Sequence, residues 1–258
     1  MKKITLKLAA ATILAATAYA AMGDVLTSWP VPSLPYPRIN GIAVEGEYIW
    51  LKDEYSEYED KRVLKCTKGG SLVDRINFPY PAPSVYSYGV TFDGLYLWTI
   101  YREWHAPGPF DSHRKYTTTG SYAGGFLEQG LYHWSVGIAW DGGYLWTDGG
   151  RFKSQLKYTT AGTLVATFPM TVGVGSDMAY YKRQLWYYGG GGLVYGVTLN
   201  GSVVASFPAP SGSCAAVGFD GEYLWTADRN KPQYIYKVDI EVVGVAPASV
   251  GKVKALFR

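Results

Sequence analysis

The hydrophobic positions of this chain fall in short runs broken by Asp-Gly or Glu-Gly, and one such phrase is written five times. Gly137 to Thr147 reads GIAWDGGYLWT, Gly41 to Leu51 reads GIAVEGEYIWL, Gly89 to Thr99 reads GVTFDGLYLWT, and Ala216 to Thr226 reads AVGFDGEYLWT. A worn copy, DMAYYKRQLWY, runs from Asp177 to Tyr187. The anchors Trp50, Trp98, Trp146, Trp186 and Trp225 stand 48, 48, 40 and 39 residues apart. Periods of that size belong to repeat architectures in which each unit leans on its neighbours.

Asp-Gly between two apolar, aromatic runs predicts a hairpin closed by a type I′ turn. A second hairpin follows in each unit, as in Leu156 to Pro169, where Gly162 marks the turn; Asn200-Gly201 and Lys68-Gly69-Gly70 mark it in other copies. Two hairpins make four antiparallel strands, the content of one propeller blade. The second strand, Tyr144-Leu145-Trp146 in the third copy, is apolar on both faces, as an inner strand packed between blades would be. The tryptophans are therefore assigned to the core between blades rather than to ligand stacking.

The segment Val25-Leu-Thr-Ser-Trp29-Pro30 matches the fourth strands Leu164 to Pro169 and Val203 to Pro208, whereas the last unit lapses after its third strand, Tyr234 to Asp239. The N-terminal strand is expected to complete the last blade and so remove the open edges of the ring. The fold expected is all-β: a five-bladed β-propeller with four-stranded antiparallel blades over residues 21–240.

Strand direction then sorts the loops. First-to-second and third-to-fourth turns are short and share one face. The second-to-third loops (Asp53 to Arg62, Ile100 to Ser112, Asp148 to Ser154, Tyr188 to Leu193 and Ala227 to Pro232) and the blade connections share the other. Variation gathers on that second face, where function on repeat scaffolds tends to sit. Candidate ligand-binding residues there are Tyr55, Tyr58, Tyr101, Trp104, His105, Asp111, His113, His133, Trp134, Arg151, Tyr188 and Arg229.

Residues 1–20 carry Lys2 and Lys3, an Ala-rich apolar stretch and Ala18-Tyr19-Ala20, the layout of a secretory signal peptide. No second apolar run of spanning length follows, so a secreted or periplasmic chain without a membrane span is expected. Removing that segment takes Lys2, Lys3 and Lys7 from the 24 basic residues, leaving 21 against 21 acids. Without a basic excess there is no electrostatic case for nucleic acid. The tail, residues 241–258, is basic at Lys252, Lys254 and Arg258 and is read as a frayed end or as a docking segment for an assembly or a homo-oligomer.

Chemistry is sparse. His105, His113 and His133 are the three histidines. A metal reading would use His105, His133 and Asp111 or Glu103, but the spacing matches no compact motif, and no metal or cofactor is expected. No nucleophile elbow, zinc-protease helix, P-loop or dinucleotide fingerprint occurs. Asp53, Asp148 and Asp228 follow second strands and could pair for glycoside cleavage, although turn chemistry is the commoner use of such Asp. Cys66 and Cys214 occupy dissimilar blade positions and are expected to be free and buried.

The motif D-G-x-Y-L-W-T with the following K-Y strand and T-x-x-G-x-L-V-x-S/T-F resembles the secreted bacterial β-propellers of the YVTN, NHL and glutaminyl-cyclase-like superfamily, over Val25 to Asp239. That superfamily includes binding modules, lyases, cyclases and lactonases, so the resemblance implies fold and not activity. Three readings follow. One is an exported, non-catalytic propeller binding a protein or a carbohydrate. The second is a lyase or hydrolase using the histidines of the second blade. The third is a subunit docked through its tail.

Overall fold

The structure, a computed structural model, describes residues 22–32, 38–54, 61–79, 86–105, 108–128, 134–150, 153–175, 177–230 and 233–240. The expected signal peptide and the tail 241–258 lie outside the described residues. Strand β1 (Val25–Pro30) precedes five sheets. Blade 1 is β2 (Ile39–Glu45), β3 (Tyr48–Asp53), β4 (Lys61–Thr67) and β5 (Leu72–Phe78). Blade 2 is β6 (Tyr86–Phe92), β7 (Leu97–His105), β8 (Gly108–Tyr116) and β9 (Tyr122–Leu127). Blade 3 is β10 (Ile138–Trp140), β11 (Leu145–Asp148), β12 (Ser154–Tyr158) and β13 (Leu164–Pro169). Blade 4 is β14 (Met178–Tyr181), β15 (Gln184–Tyr188), β16 (Leu193–Thr198) and β17 (Val203–Pro208). Blade 5 is β18 (Ala216–Phe219), β19 (Leu224–Ala227) and β20 (Tyr234–Val238), completed by β1. All five sheets are four-stranded and antiparallel, so the molecule is a five-bladed β-propeller.

The closing strand sits where the sequence places it. Val25 faces Val238 and Trp29 faces Ile235 in the β1–β20 ladder. The indole of Trp29 is buried and its Nε1 donates to the carbonyl of Lys68, which ties the last blade to the first.

Each repeat tryptophan packs forward into the next blade. Trp50 lies against Val90 and Leu97, Trp98 against Ile138 and Leu145, and Trp146 against Met178 and Leu185. Trp186 meets Val217 and Leu224, and Trp225 meets Ile42 and Ile49. The core is thus a circle of interblade seams, each built on one large aromatic. The acid that opens each hairpin holds the indole: Trp50 donates to Glu45, Trp98 to Asp93, Trp146 to Asp141 and Trp225 to Asp220, at 2.6–2.9 Å. A lysine from the third strand lies over the aromatics, as Lys157 does 3.9 Å from the Tyr144 ring and 5.0 Å from that of Trp146.

The hairpin turns differ in type from the expectation. A type I′ turn needs positive φ at both central residues. In the Asp-Gly turns the glycine alone has it, at 98° for Gly94 and 97° for Gly142, the pattern of type II′. The reason is the acid, which stays outside the turn and uses its carboxylate: Asp93 Oδ1 accepts from the backbone of Leu95 and Tyr96. Only the worn copy shows the expected pattern, with Lys182 at 46° and Arg183 at 64°.

A second difference concerns Ile100 to Ser112, expected as a loop. Most of it is ladder, since β7 and β8 pair as far as His105 and Gly108. Arg102 and Asp111 are directly opposed across the strands, and Glu103 bonds Ser112 and Arg114, so the charges that suggested a loop satisfy one another along a hairpin.

Among the described residues no helix is long and apolar enough to cross a membrane. Cys66 and Cys214 are both free and buried, and burial pushes each thiol up to about 12.

Candidate functional site

A cavity of about 450 Å³ opens where the five inner strands begin. Its wall is drawn from the blade connections (Arg38, Val136, Gly175 and Ala215), from Asn40 and Tyr88 near the starts of β2 and β6, from Glu54 and Arg229 after second strands, and from Gln233 before β20. It is therefore the mouth of the central channel on the face of longer, varied loops.

Its floor is Asp177. This carboxylate accepts backbone N–H groups from four blades: Ile42 at 3.0 Å, Val90 at 3.4 Å, Ile138 at 3.2 Å and its own neighbour Met178 at 2.9 Å. The inner strand of a blade has no partner on its channel side, so those donors would otherwise be orphaned. Asp177 stands at the position that glycine holds in three other copies, Gly41, Gly89 and Gly137. The exchange works because the others stay small: a Cβ at Gly89 would lie 2.6 Å from Asp177 Oδ1. Burial pushes its carboxyl well above the usual carboxylate range, against the opposing pull of the four N–H groups.

The acids at the ends of the second strands latch the connections. Asp53 accepts from the Arg38 backbone and pairs with Arg62 at 2.9 Å. Asp148 Oδ1 accepts from the backbone of Val136 and Gly137, each at 2.7 Å. Its carboxyl is pushed up to about 7 by burial, with the two N–H groups opposing and the charge of Asp111 adding to the rise. Asp228 accepts from the Tyr234 backbone and the Tyr236 hydroxyl. Each of the three is engaged in positioning loops, the turn chemistry that their places suggest.

The rim between blades 2 and 3 is a buried network. The Arg102 guanidinium donates to Asp111 at 3.1 Å, to the Tyr88 hydroxyl and to the carbonyl of Ser135. It lies between two aromatic rings, 4.8 Å from that of Tyr88 and 5.1 Å from that of Trp134. Asp111 also accepts the Ser135 N–H at 2.7 Å. Burial raises the Asp111 carboxyl while Arg102 opposes the rise.

Of the residues singled out in the sequence, Arg229 lines the mouth, and Asp111 and Trp134 belong to the rim network. The Tyr188 hydroxyl accepts from Gly192 in the blade 4 loop. Tyr101 is instead fully buried in blade 2, its ring 6.3 Å from that of Tyr116. His113 is fully buried as well, stacked 4.6 Å from Phe126 with Nε2 3.5 Å from Glu128, whose other oxygen accepts the Tyr158 hydroxyl. Both were expected on the loop face; the extension of β7 and β8 carries them into the seam between blades. Trp104 and His105 end β7, where the backbone alone is described. Tyr55, Tyr58, His133 and Arg151 lie outside the described residues. Among the described residues no three His, Cys, Asp or Glu side chains group as a metal site, and Asp111 and Glu103 are taken by arginines.

Sequence reading missed Arg38, Asn40, Asp177 and Gln233 as a group. One signal was there to find: aligned, the five copies show a single acid at a position otherwise held by glycine or alanine.

Comparison with known proteins speaks to the fold. No family model matches the chain, and no curated protein matches it. Solved structures share its fold. One is the glutaminyl cyclase of Myxococcus xanthus, with a TM-score of 0.65 and 10% identity over 85% of this chain and 97% of that one. A protein of unknown function from Bacteroides caccae aligns with a TM-score of 0.51 and 13% identity, over 78% of this chain and 74% of its own. A chain of the nidogen–laminin complex gives 0.51 and 15%, over 77% and 74%. At these identities the likeness is one of fold, the β-propeller, and carries no activity with it.

Proposed function

We propose that this chain is an exported, non-catalytic β-propeller that binds a protein or a surface glycan at the mouth of its channel. The observation that carries the reading is the mouth itself, a cavity with polar and aromatic walls over a floor whose one carboxylate is filled by four backbone N–H groups. A general base needs a lone pair facing the substrate. Asp177, Asp111, Asp53 and Asp228 instead spend theirs on N–H, hydroxyl and guanidinium groups of the fold. Export rests on the signal-like residues 1–20.

The test is a glycan array together with a pull-down of exported proteins, run on the mature chain and on an Asn40→Ala/Arg229→Ala variant. The expected result is a retained ligand whose affinity drops about tenfold or more in the variant, the scale of a central contact residue. Turnover that depends on a stoichiometric metal, lost on replacing His105 and His133, would overturn the reading in favour of an enzyme.

A further inference from the structure

We infer that the mouth receives the carboxylate of an acidic sugar; this deepens the binding reading and rests on it. Three features of the mouth and its rim specify the ligand. Arg229 is fixed by the fold: its Nε donates to the carbonyl of Cys214 at 3.0 Å and an Nη to the carbonyl of Gly175. Unlike Arg62, Arg102 and Arg114, which face Asp53, Asp111 and Glu103, it has no carboxylate within ion-pair distance among the described residues. A guanidinium oriented by carbonyls keeps its full charge at the cavity edge and presents a fork suited to a carboxylate.

Asn40 supplies the second feature. Its Nδ2 donates to the carbonyl of Ser87 at 2.6 Å, which fixes the amide orientation. Its Oδ1 is buried and meets no donor among the described residues. A buried acceptor left unmet is costly, and a ligand hydroxyl would meet it. Glu54, another acceptor in the wall, asks for the same kind of group.

Trp134 is the third. Bulky residues with positive φ are outliers that persist where the surroundings enforce them, and such strain gathers at binding sites. Trp134 has φ of 57° and is 44% exposed, backed by the Arg102 guanidinium and two residues from Val136 in the cavity wall. It offers a flat, half-exposed ring two residues from the polar opening.

A carboxylate for Arg229, several hydroxyls for Asn40 and Glu54, and a ring for Trp134 describe a uronic-acid-type sugar better than a peptide C-terminus, which brings the carboxylate without the hydroxyls. The cavity, about 450 Å³, lies at the small end of the range for ligand pockets.

The mature chain is titrated calorimetrically with trigalacturonate, with its neutral methyl ester and with an acetylated tripeptide bearing a free C-terminus. Trigalacturonate should bind about tenfold tighter than the ester at low salt, the size of a charge-assisted pair. The gap should shrink as salt rises. Arg229→Gln should erase the gap and leave ester binding intact, and the salt series on the unaltered chain reads the same charge without any substitution. Equal binding of acid and ester, or tighter binding of the peptide, overturns the acidic-sugar assignment while the mouth stands as a binding site. Loss of neither ligand in Asn40→Ala/Arg229→Ala, with binding mapped elsewhere, overturns the mouth itself.

Discussion

At the scale of single residues, blade 4 shows how one repeat absorbs several exchanges together. The acid that holds the indole elsewhere is Tyr181 here, and the lysine that covers it is Gly196. A Cβ at Gly196 would stand 2.7 Å from Cζ2 of Trp186, so the ring occupies the space a side chain would fill. The indole Nε1 of Trp186 accordingly has no hydrogen-bond partner among the described residues. The same copy carries Asp177, which serves donors from blades 1 to 4. Each donor left orphaned in a buried place costs about 1–3 kcal/mol, reduced where water can reach it. Asp177→Ala should therefore lower unfolding stability by about 3–5 kcal/mol, and Asp177→Asn by less, because one oxygen still accepts. Urea unfolding measures both, and a loss below about 1 kcal/mol for the alanine variant would show that the clasp holds nothing.

Strands and turns were the most readable level of the sequence. The Asp-Gly phrase marks every hairpin in which it occurs, and the alternation of copies gives strand order, face and ring closure. Turn type was less readable, because the choice between two mirror-image turns depends on what the Asp carboxylate binds, and that is set by the fold. The mouth was legible in part for a related reason. Arg229 stands in a variable loop and can be guessed, whereas Asn40 acts through Ser87, 47 residues away, and Gln233 through Ile39, 194 residues away. At the worn turn, Lys182 and Arg183 both hold positive φ without being glycine or asparagine. Replacing them by Asn-Gly relieves a left-handed backbone cost of roughly 1 kcal/mol per residue. The double variant should melt about 3 °C or more higher, and an unchanged or lowered melting temperature would contradict the turn geometry.

For the molecule as a whole, buried carboxyls tie stability to pH. Asp148, at about 7 in the folded chain against 3.8 ordinarily, keeps its proton over a range in which the unfolded chain has lost it. Stability should then fall as pH rises from about 4 to about 7, by at most about 4 kcal/mol from this group, and level off above. Asp177 shifts in the same direction, while Asp111 and Tyr187 are the titratable neighbours that share the field. Asp148→Asn retains the acceptor for Val136 and Gly137, and it replaces an Oδ2 that has no hydrogen-bond partner among the described residues. It should flatten the slope and raise stability at pH 7; a slope as steep as that of the parent chain would assign the dependence to other groups.

The strand that shuts the ring also fixes when the ring can shut. Val25 and Val238, its outermost pair, are 213 residues apart, counting from 25 to 238. A ribosome releases the first of them 213 residues before the second, and domains otherwise tend to fold from the N-terminal side as they emerge. Val25 to Pro30 must wait without a partner while four blades are made. Until then the nascent polypeptide is an unfinished arc with the edge of its last blade still bare.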